Sequence, residues 1–190
     1  MDIREQKKEI RKAIRGIKKE MGEAALLEKS LAVQQNLLKW VDFTPYNTIL
    51  LYHALPDEVN TNILLEKLSN RLGGDKRIIL PVVSGDVLIL KEYVPEEVAT
   101  GYMNILEPQE GECIDPSEIE IAVIPGVAFD PLCNRMGRGK GFYDKLLPYI
   151  KCRTIGIGFD FQIVDNIPCE EFDKPLDMVV SEGVCYSSPL

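Results

Sequence analysis

The run Arg135-Met-Gly-Arg-Gly-Lys-Gly-Phe-Tyr-Asp144 carries the densest chemical signal in the chain, with glycines at 137, 139 and 141 alternating with Arg138 and Lys140. Glycine lets backbone N–H groups turn inward and lets a ligand approach the main chain closely. Arginine offers phosphate oxygens a planar fork, and lysine offers a mobile point charge. A strand is expected just upstream and a helix just downstream, whose first N–H groups would add donors. The run therefore reads as a phosphate cradle, against the plainer reading of a surface loop with solvated charges. It is neither the GxxxxGKS/T loop nor the GxGxxG dinucleotide fingerprint. A single-stranded nucleic-acid role is disfavoured, because the glycines lie between a strand and a helix.

Three weaker constellations accompany it. Lys7 shares a helical face with Ile3, Ile10 and Ile14, and Arg11 follows one turn on. A cation on an apolar stripe needs an anionic partner or a route to water, and the helix alone leaves both readings open. In Leu51-Tyr-His-Ala-Leu-Pro-Asp-Glu-Val-Asn-Thr61, Asp57 or Glu58 could accept hydrogen bonds from an amino-pyrimidine-type ring, and His53 is the only histidine of the chain. There the plain alternatives are a helix cap at Asn60 and a structural histidine. Asp144 and Asp177 could supply the one or two carboxylates that Mg²⁺ on phosphates usually takes. Asp144 could equally favour the start of a helix, and spacing does not show that the two acids meet.

These residues need elements to hold them. Residues 2–22 read as a helix through Ile3, Ile10, Ile14, Ile17 and Met21, with Gly22 as its stop. Residues 24–40 read as a second helix burying Leu27, Leu31 and Leu38. Apolar runs predict strands at 48–52, 77–81, 87–94, 119–124, 154–158 and 178–180. Helices are expected at 61–72, closed by Gly73-Gly74, and at 142–150, and the Pro-rich acidic stretch 95–118 reads as loop. Alternating strands and helices argue for an α/β fold with a mainly parallel sheet covered on both faces. Ligands in such folds collect at the carboxyl ends of strands.

Composition narrows the function classes. A chain of 190 residues, 45% hydrophobic and 27% charged, suits one globular domain spanning 1–190. No apolar run approaches the ~18 residues of a membrane span, and Met1-Asp-Ile-Arg-Glu-Gln-Lys-Lys8 lacks an apolar leader segment, so a cytoplasmic location is expected. Five cysteines, at 113, 133, 152, 169 and 185, form no CxxC pair and read as reduced. A net charge of −8 disfavours general nucleic-acid binding. An anionic ligand must therefore find a locally basic patch, and residues 4–19 and 135–145 are the two candidates.

The order of motifs resembles the 5-formyltetrahydrofolate cyclo-ligase (methenyltetrahydrofolate synthetase) family nearly end to end. The resemblance rests on Lys7-x-x-x-Arg11, Pro56-Asp-Glu-Val-Asn-Thr61, Leu106-Glu-Pro108, Ile124-Pro-Gly-Val-Ala-Phe-Asp130 and Asn134-Arg-Met-Gly-Arg-Gly-Lys-Gly-Phe-Tyr-Asp144. It implies a three-layer α/β sandwich with the two N-terminal helices packed on the sheet. It implies conversion of 5-formyltetrahydrofolate and ATP, with Mg²⁺, to 5,10-methenyltetrahydrofolate, ADP and phosphate through a phosphorylated formyl group. The partners are these small molecules, with no nucleic acid and no membrane, and a monomer is the simplest assembly. By the family pattern ATP meets Lys7, Lys8, Arg11, Arg135, Met136, Gly137, Arg138, Gly139, Lys140, Gly141, Phe142 and Tyr143. The folate meets His53, Glu58, Met103, Phe129, Arg138, Gly139, Lys140, Gly141 and Phe142. Asp144 and Asp177 match metal positions, and Arg138, Lys140 and Tyr143 would act in catalysis. Met103 stands where some members carry an aromatic residue, and Phe142 where tyrosine is common. Two other readings are a non-catalytic nucleotide-binding module of the same fold and a sugar-phosphate isomerase of similar architecture.

Overall fold

A computed structural model of the protein describes residues 2–71, 76–101, 106–109, 111–170 and 173–188. Helix α1 (Ile3–Trp40) is broken at Gly22, whose φ of 76° and ψ of 165° lie outside the helical region, so the two expected helices are present with the expected joint. Helix α2 (Asn62–Arg71) and the short α3 (Phe142–Leu146) follow. The strands are β1 (Thr48–Leu50), β2 (Arg77–Ser84), β3 (Val87–Glu92), β4 (Val98–Thr100), β5 (Leu106–Pro108) and β6 (Cys113–Ile114). They continue with β7 (Ile121–Pro125), β8 (Ala128–Phe129), β9 (Arg135–Met136), β10 (Arg153–Ile157), β11 (Met178–Val180) and β12 (Cys185–Ser187).

Eight of these strands form one sheet in the order β12-β11-β10-β7-β1-β2-β3-β6. Its central strands β11, β10, β7, β1 and β2 are parallel, and β12, β3 and β6 close the edges antiparallel. The central strands are mainly apolar because both faces are covered, with Thr48, Arg77, Arg153 and Thr154 at their amino ends. Ile49, Ile78, Ile121, Val123, Ile155 and Ile157 pack against Leu26, Val33 and Leu37 of α1 and Leu64, Leu65 and Leu68 of α2. Their neighbours one position away, Leu50, Ile79, Ala122 and Ile124, point to the other face with Leu146, Leu147 and Ile150. The period of two thus builds three layers, each fully buried Ile or Leu contributing about 1.5–3 kcal/mol.

Several local expectations change. On the second half of α1, Leu27, Leu31 and Leu38 are exposed, whereas Leu26, Ser30, Val33, Gln34 and Leu37 are buried. The true inward stripe is disguised by polar residues that find partners. Ser30 Oγ donates to the Leu26 carbonyl at 2.8 Å and accepts the Asn60 N–H at 3.0 Å, and Gln34 Nε2 donates to the Ser30 carbonyl at 3.2 Å. On the first half, Ile17 is exposed while Lys18 is 5% exposed. Stretch 95–118 is not simple loop: β4 and β5 pair antiparallel, β6 joins the sheet edge, and β5 lies against β2. The helix expected over 142–150 stops early, and a 3-10 turn over Leu147–Tyr149 replaces its end, where Pro148 cannot donate to a helical bond. The closing glycines 73 and 74 lie outside the described residues.

Candidate active site

The glycine loop 137–141 leaves a hairpin, β8–β9, that a buried carboxylate pins in place. Asp130, 1% exposed, accepts the N–H groups of Leu132, Asn134 and Ile167 and the Asn134 side-chain amide at 2.9–3.0 Å. Beyond β9 the chain enters α3 through Gly139 and Gly141, with φ of 94° and 73°, which only glycine adopts cheaply. The helix that follows has five residues, so a phosphate held here would depend on the loop's backbone and cations rather than on a long helix dipole.

The loop's cations have distinct duties. Arg135 is clamped within the protein: its side chain is 4% exposed, Nη2 meets Asp144 Oδ1 at 2.5 Å, Nη1 donates to the Pro125 carbonyl at 3.3 Å, and the guanidinium lies 5.3 Å from the Tyr143 ring centre. Arg138 reaches across to the segment after β1, pairing with Asp57 and, at 3.1 Å, with Glu58 Oε1. Burial would lower its charge affinity, but Glu58 and Asp57 outweigh that and raise it. Lys140 is exposed and has no hydrogen bond or ion pair among the described residues. From α1, Arg11 Nε donates to the Gly137 carbonyl at 2.8 Å, and its guanidinium borders Gly139.

Lys7 and Lys8 part company. Lys8 is exposed with no ionic partner among the described residues. Lys7 Nζ pairs with Asp173 at 2.6 Å and Glu170 at 3.4 Å, which together overcome burial and hold the ammonium above its usual range. The cation on the apolar stripe therefore has its anionic partner. Sequence reasoning missed Lys18, whose ammonium lies 3.5 Å from Asp57 and is held below its usual range by burial, with Asp57 opposing. The spacing 7, 11, 14, 18 is itself a helical face, and reading cations as part of it would have found this residue.

The loop with Arg135, Arg138 and Lys140 lines a cleft of ≈ 390 Å³ at the carboxyl ends of β1 and β7. Its walls include Leu55, Val83, Leu88, Pro125, Val127 and Phe142, and its polar lining includes His53, Glu58, Glu107, Arg138 and Lys140. The Glu58 carboxylate is engaged on both oxygens, by Arg138 and by the Leu55 N–H at 3.1 Å. His53 stands edge-on to Tyr93 with ring centres 5.8 Å apart, and its Nε2 is buried without a partner among the described residues. Tyr143 lines the cleft as a neutral phenol, its ionisation pushed far up by burial and by Glu58, with Arg135 opposing.

Two expected contacts are corrected. Phe129 is 0% exposed and fills the hollow left by Gly126, Gly156 and Gly158, so its ring belongs to the core and not to a substrate surface. The Met136 side chain is 2% exposed beside Ala128 and Ile167, so only its main chain can face a ligand. Met103 lies outside the described residues.

The chain matches the family model for the 5-formyltetrahydrofolate cyclo-ligase family over residues 3–182. It belongs to that family. The 5-formyltetrahydrofolate cyclo-ligase of Escherichia coli strain K12 is 31% identical over 160 residues, covering 78% of this chain and 86% of that protein. The Haemophilus influenzae protein of the same name is 28% identical over 181 residues, covering 90% and 95%. Among solved structures, the Aquifex aeolicus 5,10-methenyltetrahydrofolate synthetase superposes with a TM-score of 0.82 at 32% identity, covering 95% of this chain and 92% of that one. The Mycoplasma pneumoniae 5,10-methenyltetrahydrofolate synthetase gives 0.75 at 25% identity, covering 96% and 99%. The family membership and the α/β architecture thus stand as the sequence led one to expect. Among the described residues no helix is long and apolar enough to cross a membrane.

The two acids suggested for metal do not come together. Asp177 precedes β11, and its Oδ2 accepts from the Thr154 N–H at 2.7 Å and the Thr154 hydroxyl at 2.8 Å, near the start of β10. Asp144 lies at the other end of the sheet, tied through Arg135 to the last residue of β7. Asp177 is thereby a brace between strands. Asp144 keeps Oδ2 without a partner among the described residues and suits the single carboxylate that Mg²⁺ on a nucleotide can accept. Among the described residues no group of three or more His, Cys, Asp or Glu could hold a metal by itself.

Proposed function

We propose that the protein closes 5-formyltetrahydrofolate to 5,10-methenyltetrahydrofolate at the expense of ATP. The observation that carries this reading is the placement of Arg138 and the unpaired Lys140 on a glycine loop at the mouth of a largely apolar cleft. An amide oxygen is a poor leaving group until it is phosphorylated. In the proposed reaction the formyl oxygen attacks the γ-phosphorus, ADP departs with the bond pair, and a phosphorylated imine-like carbon results. N10 then attacks that carbon, the ring closes, and phosphate leaves with the oxygen and the C–O bond pair, taking up the proton that N10 gives up.

Phosphoryl transfer asks a protein mainly for positioning and charge stabilisation. The backbone N–H groups of loop 137–141, with Lys140 and Arg11, would receive the phosphates. Arg138, on the glycine loop and held by Glu58 and Asp57, would stand between the phosphates and the folate, where the transferred group must pass. Phe142 and the apolar walls would seat the ring and exclude water, which strengthens every charge contact inside. Asp144 would share Mg²⁺ with the phosphates, the ion lowering their charge repulsion. Lys7, held by Asp173 and Glu170, would act by tying the N-terminal helix to those two acids rather than as a free phosphate ligand.

The test is methenyl absorbance from 5-formyltetrahydrofolate, with ADP measured alongside. Equimolar methenyl product and ADP, each dependent on the other substrate, support the reaction. Nucleotide binding with neither product would leave the binding-module reading, and sugar-phosphate turnover without ATP the isomerase reading.

A further inference from the structure

We infer that Glu107 is the carboxylate that anchors the folate ring, receiving N–H donors from its aminopyrimidinone half. The inference rests on the cyclo-ligase reading and deepens it. Among the described residues three buried side-chain polar atoms lack any hydrogen-bond partner: Gln34 Oε1, His53 Nε2 and Glu107 Oε1. The last two line the same cleft.

Glu107 lies on β5 opposite Ala99 of β4 and is 6% exposed. Gly101 makes the room for it, since a methyl group at that position would overlap the carboxylate at Oε2. No cation among the described residues pairs with it. A carboxylate taken from water without donors is among the most costly groups a fold can bury, unless a ligand completes it. A charged acceptor in a dry pocket selects strongly for N–H donors. The aminopyrimidinone half of a pterin presents a ring N–H and an amino group side by side, which is donor chemistry of that kind. The apolar residues Pro81, Val83 and Leu88 flank the same part of the cleft and would meet the ring faces.

Glu58 had the better claim from sequence, since it follows β1 in the motif segment. In the structure both its oxygens are taken, so binding a ring there would first require releasing Arg138 or the Leu55 N–H. Glu107 has nothing to release. His53 Nε2 is the second unfilled atom, and its imidazole, held below the usual range by burial with Asn62 opposing, offers the same ring a neutral contact.

The experiment compares wild type with Glu107→Gln and Glu107→Leu by titration with 5-formyltetrahydrofolate, with its 2-desamino analogue and with a non-hydrolysable ATP analogue, alongside thermal melting. Glu107→Gln should weaken 5-formyltetrahydrofolate about ten- to a hundredfold and leave the ATP analogue unchanged. Wild type should prefer the natural ring to the desamino analogue, and the variant should lose that preference. Glu107→Leu should melt no lower than wild type, because it removes an unsatisfied charge. Retained folate affinity in Glu107→Gln would overturn the assignment while leaving the cyclo-ligase reading intact. Failure of wild type to bind 5-formyltetrahydrofolate, with the ATP analogue still bound, would remove that reading and this one with it. Should Glu107→Leu not fold, the near-isosteric Glu107→Gln decides alone.

Discussion

The β8–β9 turn and the cleft wall each bury a carboxylate, and they treat it in opposite ways. Asp130 in the turn is surrounded by three backbone N–H groups and one side-chain amide. Glu107 in the wall has an oxygen with no partner among the described residues. The first arrangement organises the chain, because every donor around it would otherwise be orphaned. The second destabilises the empty protein and makes sense only if a ligand supplies the donors. Satisfaction of polar groups, more than burial or charge, separates a structural acid from a binding one here.

The largest expected effect falls on the turn. Asp130→Ala should lower unfolding free energy by about 3–5 kcal/mol in urea titration, since it strands several buried donors at once. An equal loss in Glu107→Leu would break the contrast between the two regions.

Next come the two arginines that bracket the loop. Arg138→Ala should lower turnover by about 10²–10³-fold at saturating substrates, as loss of a preorganised charge does, with little change in melting. Arg135→Ala should do the reverse in emphasis, lowering the melting temperature because its buried clamp joins β7, Tyr143 and Asp144. A thermal melt and a turnover assay on each variant would show whether these duties are separate, and matching profiles would show that they are not.

A smaller effect tests Phe129. A Cβ at Gly156 would stand 2.5 Å from the Phe129 ring and 2.8 Å from Leu176, both in the core. Gly156→Ala should therefore cost about 1–3 kcal/mol of stability through overpacking, with the Michaelis constant for folate unchanged. A selective rise in that constant would return Phe129 to the substrate surface.

The smallest effect is on pH dependence. Burial holds His53 below the ordinary imidazole value of 6.5, with Asn62 opposing. As pH falls, the unfolded chain therefore takes up this proton before the folded chain does, and folded stability declines. His53 contributes no slope well above pH 6.5, and the loss begins as pH passes down through that value. His53→Gln should flatten this part of the stability profile, whereas an unchanged slope would show an imidazole in contact with water.

Sequence by itself determined the central strands and the position of the glycine loop, for a physical reason. Strands buried on both faces must be apolar at every position, so β1 and β7 announce themselves. The alternation of glycine and cations at 137–141 is local chemistry, and it stands in the fold as a loop lining the cleft. The helix break at Gly22 is likewise a property of one residue. Tertiary structure alone decided which polar groups are used up. Arg138 meets Asp57, 81 residues away in the chain, and Lys7 meets Asp173, 166 residues away. Lys18 and Ser30 are buried because Asp57 and Asn60 arrive beside them, which turns α1 onto a face that an apolar count does not select. Asp177 is consumed by Thr154, Glu58 by Arg138, and Glu107 is left open, although the three are the same functional group. A side chain's pattern along the chain records its own element's period, whereas its hydrogen-bonding partners come from elements packed against it from elsewhere.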